Sequence, residues 1–149
     1  MTDIGFYHLV ATPLEKALPK LLEKVLGSGA RAVVMAGSSE RVEALNGLLW
    51  TYAPNGFLPH GSAKDGKAER QPIWLTAKDE NPNGATILVL TDGAASGSLS
   101  SYARCLDVFD GADDAAVAQA RERWKLYKAA GHGLTYWQQT DSGGWERKN

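Results

Sequence analysis

The residues best suited to chemistry crowd into positions 121–128. Arg121, Trp124, Lys125 and Lys128 fall at i, i+3, i+4 and i+7. On a helix that spacing sets them along one stripe. Cations thus flank a large aromatic, and Glu122 is the local counter-charge. A basic rim around an aromatic floor suits an acidic peptide ending in an apolar side chain. It would equally suit single-stranded nucleic acid, through stacking and phosphate contacts. The blander reading puts Trp124 in the core and leaves the cations on a solvated face. The neighbouring stripe of Ala116, Ala120, Arg123 and Tyr127 is mostly small or amphipathic.

A second group is built from apolar surface. Trp50 and Phe57 bracket the Pro54-Asn55-Gly56 turn. Core packing explains either alone. Two large aromatics beside a loop can also form an exposed apolar patch, which marks a protein interface.

Motifs for catalysis are incomplete. Gly61-Ser62-Ala63-Lys64-Asp65-Gly66-Lys67-Ala68 approaches a phosphate-binding loop, but Ala68 replaces the hydroxyl that would ligate magnesium. Such a loop also needs a strand before it and a helix after it, whereas Pro59 and Pro72 flank this one. Residues 91–98 follow a strong strand and could cradle a phosphate with backbone amides. They lack a GxGxxG pattern, and no basic residue follows until Arg104. His8, His60 and His132 have no metal-ligand spacing, and the lone Cys105 lies in an apolar strand. No GxSxG elbow supports a serine nucleophile. No catalytic residue, metal or cofactor is therefore expected.

Composition narrows the class further. The chain has 149 residues, 44% hydrophobic and 22% charged, the balance of one globular domain spanning 1–149. A net charge of −1 argues against nucleic acid held over the whole surface, so any acidic partner must meet a local patch. One cysteine excludes an internal disulfide and fits a reducing cytoplasm. No apolar run approaches the roughly 18 residues of a membrane span, and the acid-bearing N-terminus does not read as a signal peptide.

The elements that must position these residues follow from periodicity. Strands are expected at 4–10, 31–36, 73–76, 86–90 and 105–109. A helix begins near Thr12, with Thr12 as cap, Pro13 in the first turn and Glu15 completing a capping box. Pro19 conflicts with it and predicts a bend or a late start. Ser38 or Ser39 caps a second helix whose buried face is Val42, Leu45, Leu48, Leu49 and Tyr52. Asp113 caps the last, running to about Ala130 and stopped by Gly131. Residues 53–70 read mostly as loop, and 138–149 as a frayed tail. Strands alternating with helices predict an α/β fold, a mainly parallel sheet with helices on both faces.

Taken together, Phe6-Tyr7, the Leu49-Trp50 … Phe57-Leu58-Pro59-His60 block and the run from Ala120 to Gly131 resemble the chi subunit of bacterial DNA polymerase III. The likeness covers nearly the whole chain, and the last block is its most specific part. The resemblance implies a fold similar to nucleotide-binding domains but without a nucleotide site. It implies a non-catalytic accessory subunit, in a complex that synthesises DNA, linking the clamp-loader assembly to single-stranded DNA-binding protein. Two partners follow from it: the psi subunit, matched to Trp50 and Phe57, and the acidic, Phe-ending tail of single-stranded DNA-binding protein, matched to Arg121, Trp124, Lys125 and Lys128. Trp124 stands where the best-known pattern has Tyr, and Lys128 where it has Arg. The rival readings are a nucleotide-binding or phosphoryl-transfer enzyme on the same fold, and a direct single-stranded DNA-binding module.

Overall fold

The computed structural model describes residues 2–52 and 58–149. Its elements in chain order are β1 (Asp3–Leu9), α1 (Leu14–Gly27), β2 (Ala32–Met35), α2 (Ser39–Thr51), β3 (His60–Gly61), β4 (Ile73–Thr76), β5 (Ile87–Leu90), β6 (Arg104–Asp110), α3 (Asp114–Ala129), β7 (Gly133–Gln139) and β8 (Trp145–Arg147). Short 3-10 turns occupy Ala68–Arg70 and Leu99–Ser101. The strands form one sheet in the order β3-β4-β2-β5-β6-β1-β7-β8. Every pairing is parallel except that of β7 with β8.

Helices cover both faces, as the alternation of elements predicts. On one face Leu18, Leu22, Leu45 and Leu49 of α1 and α2 pack on Val34, Leu75, Val89 and Val108. On the other, Ala120 and Tyr127 of α3 meet Ile4, Phe6, Cys105 and Phe109, alongside Leu99 and Tyr102. The period-2 alternation within β1 and β6 sorts side chains between the two cores. Cys105 lies in the second core, where burial pushes its thiol pKa up.

Several expectations need correction. Thr12 does not cap α1, whose N-cap is Pro13 with no side-chain bond. The Thr12 hydroxyl instead accepts from Gln139 Nε2 at 2.7 Å. The same Gln139 side chain turns its oxygen to the N–H groups of Val10, Ala11 and Thr12 at 3.1, 2.9 and 3.0 Å. A buried amide from β7 thus satisfies the backbone that enters α1. Pro19 sits buried inside the helix rather than breaking it. Residues 138–149 are not frayed: β7 extends the sheet beside β1, and β8 closes an antiparallel hairpin on its outer edge. Packing holds this end, since Trp145 meets the Tyr7 ring edge-on at 5.0 Å and Trp137 stacks on it at 6.3 Å.

Ser38 is the cap of α2, its hydroxyl accepting from Arg41 N–H at 3.2 Å. Asp113 caps α3, accepting from Ala115 and Ala116. Gly131 follows α3 with φ +87°, a left-handed conformation that glycine adopts without strain.

Candidate functional site

The placement of α3 rests on a buried charge pair. Arg123 Nε and Nη2 donate to Asp107 Oδ2 and Oδ1 at 2.7 and 2.9 Å. The two side chains are 12% and 3% exposed. Burial pushes the Asp107 carboxyl pKa up, and the guanidinium pulls it back. This fork ties the helix to β6 and fixes which of its faces looks outward. Tyr127, one turn on, packs against Phe6 at 5.9 Å.

With that face fixed, the first half of α3 lies over β1 and β6 with small residues. Val117, Ala118 and Ala120 lie over Phe6 and Phe109, which stay buried at 1% and 5% exposure and form the floor of a concavity. Arg121, Trp124 and Lys125 then form a wall on the helix side, and Tyr136 of β7 forms the opposite one. The result is an open groove of about 570 Å³, within the roughly 300–1,000 Å³ typical of ligand sites.

Trp124 is half-buried, neither wholly in the core nor wholly on a solvated face. Its ring meets Phe6 edge-on at 5.2 Å and Tyr136 at 6.1 Å, while its remaining surface faces the groove. Arg121 is exposed and has no ion-pair partner among the described residues. Lys125 is paired with Glu122 at 3.3 Å, but both are about 70% exposed (72% and 70%), so the pair exchanges at little cost. Lys128 is exposed on the same stripe but does not line the groove. The structure therefore brings Arg121, Trp124 and Lys125 to one concavity and leaves Lys128 one turn beyond it.

The sequence pattern on α3 could not reveal the sheet's share of this groove. Phe6, Phe109 and Tyr136 come from three strands that only the fold makes neighbours. The alternation of Ile4, Phe6 and His8 was the available signal for β1. Tyr136 had none, because β7 mixes aromatic and polar residues on both faces.

Trp50 lies at the end of α2 and is 54% exposed. Its ring centroid is 4.8 Å from that of His60 on β3, the opposite edge of the sheet from β8. Phe57 and the Pro54-Asn55-Gly56 turn lie outside the described residues.

The near-miss phosphate loop is arranged differently from a phosphate cradle. The Ser62 N–H donates to the Asp65 carboxylate at 2.9 Å, and Lys64 pairs with Glu43. At the carboxyl ends of the strands, where doubly wound folds bind ligands, a cavity of about 350 Å³ carries Glu15, Asp92, Asp110 and Asp113. Its Arg41 is committed to Glu15 and Asp92 at 3.2 and 3.1 Å, and its Arg123 to Asp107. Among the described residues no group of three or more His, Cys, Asp or Glu could hold a metal, and no helix is long and apolar enough to cross a membrane.

A family model described as "DNA polymerase III chi subunit, HolC" matches residues 1–135. The chain belongs to the DNA polymerase III chi subunit family. Curated relatives agree with this. A probable DNA polymerase III subunit chi of Rickettsia prowazekii is 37% identical over 60% of this chain and 54% of its own length, so the match spans about half of that relative. The subunits chi of Pseudomonas aeruginosa and Haemophilus influenzae are 24% and 26% identical, over 90% and 82% of this chain and 94% and 85% of theirs. Among solved structures, the C-terminal domain of the DEAD-box protein Dbp5 matches with a TM-score of 0.55 at 10% identity, covering 91% of each chain. That likeness is one of fold alone. For a chi-family chain the role lies in DNA replication, as an accessory subunit of DNA polymerase III.

Proposed function

We propose that this chi-family chain is a non-catalytic adaptor that holds the acidic, Phe-ending tail of single-stranded DNA-binding protein in the α3 groove. The observation that carries this reading is the groove itself: an aromatic-walled cleft whose lining cation Arg121 has no ion-pair partner among the described residues. Trp124 and Tyr136 offer apolar wall to a terminal aromatic side chain, above the buried Phe6 and Phe109. The Arg121 fork matches a carboxylate bidentately. Lys125 can leave Glu122 for an upstream acid of the tail, and Lys128 meets the tail outside the groove as a screened point charge.

The second contact of the adaptor is the psi subunit, seated at Trp50 and Phe57. Trp50 ends a helix on one face of the sheet, and the groove lies under a helix on the other. Partners at the two places would not compete. The strand-end cavity supports the non-catalytic part of the reading. Its carboxylates outnumber its cations, and both cations are already paired, so a nucleotide phosphate would meet repulsion there.

Calorimetry with a synthetic tail peptide, against the same peptide lacking its last Phe, tests the reading. The intact peptide should bind at least tenfold more tightly. Arg121→Ala and Trp124→Ala should each weaken binding more than Lys128→Ala, since rim charges contribute less than desolvated anchors. Equal affinity for the two peptides, or unchanged binding by Trp124→Ala, places the site elsewhere.

A further inference from the structure

The groove has an end that the α3 residues alone do not describe. His8, near the close of β1, has its ring 5.1 Å from that of Phe109 and 5.9 Å from that of Tyr136. Its Nδ1 is hydrogen-bonded to the Tyr136 hydroxyl. The turn after β6 closes its other side. A Cβ placed on Gly111 would fall 2.0 Å from His8 Nε2, so only glycine lets the backbone come this close. The ring is thus held between the Gly111 turn and the Tyr136 hydroxyl. Tyr136 itself lines the groove with Arg121.

We propose that His8, Tyr136 and Arg121 form a carboxylate subsite at this end of the groove, and that a peptide's terminal carboxylate binding there is accompanied by uptake of a proton on His8. This rests on the peptide-binding reading above and adds to it a proton-linked recognition element drawn from the sheet.

The groups facing the ring come from three elements besides its own. Arg121 of α3 opposes the ring's proton, Asp110 at the end of β6 favours it, and Tyr136 of β7 bonds Nδ1. Burial first, and then Arg121, hold the free His8 pKa below the ordinary imidazole range. In the neutral ring with Nδ1 unprotonated, the Tyr136 O–H donates inward to it. A carboxylate at Arg121 cancels the charge that opposes protonation and adds its own attraction. Once protonated, Nδ1–H donates to the tyrosine oxygen. The phenolic hydrogen is then free to donate outward, to the carboxylate. Burial by the peptide opposes this by desolvating the ring, but an opposite full charge at about 4–6 Å favours the protonated form.

The sign follows. The His8 pKa is higher in the complex than in the free chain, so affinity rises as pH falls through the complex value and levels off below the free value. Each pH unit between those values gives tenfold in affinity. Calorimetry of the full chain with the tail peptide, between pH 5.5 and 8 in buffers of different ionisation enthalpy, should show net proton uptake on binding. His8→Leu should abolish most of that uptake and flatten the pH profile, and Tyr136→Phe should weaken binding most at the acid end. In case His8→Leu does not fold, the His8 ring resonance of the unaltered chain is titrated by NMR with and without saturating peptide, and its midpoint should move up. Normal peptide binding with no proton uptake and an unmoved His8 midpoint overturns the proposal and leaves the groove reading standing. No binding at any pH overturns both.

Discussion

Arg123→Met puts the buried pair beneath α3 to the test. Methionine keeps the straight, helix-compatible stem and removes the guanidinium. Asp107, with a side chain 3% exposed, then loses both of its bonds at 2.7 and 2.9 Å and remains a carboxylate with no cation. Removing one partner of a buried ion pair costs about 3–5 kcal/mol. For a chain of this length that lowers the melting temperature by about 6–20 °C. Urea unfolding followed by far-UV circular dichroism measures it. The deficit should also depend on pH with a definite sign. Burial already pushes the Asp107 pKa up, and without Arg123 nothing pulls it back. The folded variant therefore binds the Asp107 proton at higher pH than the unfolded chain. Its deficit should be full above that raised pKa and shrink as pH falls towards the ordinary carboxylate value near about 4. Replacing both partners, Asp107→Leu with Arg123→Met, should restore most of the stability. A deficit below about 1 kcal/mol that is flat in pH, or a double variant as weak as the single one, refutes the reasoning.

Gln139→Leu should destabilise the chain by about 1–3 kcal/mol, because the Val10, Ala11 and Thr12 amides lose the acceptor they share; urea unfolding at unchanged stability would count against that role. Trp50→Ala should weaken capture of a psi subunit by about 2 kcal/mol or more, the loss typical of an aromatic anchor. The far-UV spectrum should be preserved, and psi binding that survives intact removes Trp50 from the contact.

The parts of the fold legible from sequence are those in which local signals agree. Asp113 before an alanine-rich helical run and Gly131 after it announce α3, and Ser38 before the spaced Val42, Leu45 and Leu49 announces α2. The apolar strands at 32–35 and 87–90 needed no more than their composition. The start of α1 is not legible locally, because Thr12 carries a capping side chain whose hydroxyl is taken by Gln139, a residue 127 positions away. The C-terminal hairpin is hidden from the sequence for a related reason. Ser142-Gly143-Gly144 and the charged last residues look like an end, yet Trp137 and Trp145 find Tyr7 across the sheet. For the candidate site, spacing located the helix half of the groove, Arg121, Trp124 and Lys125. Arg123 seemed part of a bland neighbouring stripe because its partner Asp107 lies on another element.

The same division bears on where the proposed peptide site lies in this α/β fold. In an open α/β sheet the natural ligand site is the crevice beyond the carboxyl ends of the strands. Here Arg41 crosses that crevice to reach Glu15 from α1 and Asp92 after β5, and Asp92 also accepts the Gly37 N–H at 3.1 Å. Asp92 holds a positive φ of 56° while making these bonds. The position that would offer amides to a phosphate is thus spent on tying α1, α2 and the β5 turn together. The proposed peptide site lies instead on the flank of the sheet, where α3 carries small residues over aromatic strands. A helix anchored from beneath by Arg123 and Asp107 can present Arg121 and Trp124 at fixed spacing without help from a ligand. Recognition built this way depends on the seating of α3. That ties the two halves of the molecule's chemistry: Arg123→Met should loosen the groove as it destabilises the core, whereas the double replacement, if it reseats the helix, should recover peptide binding along with stability.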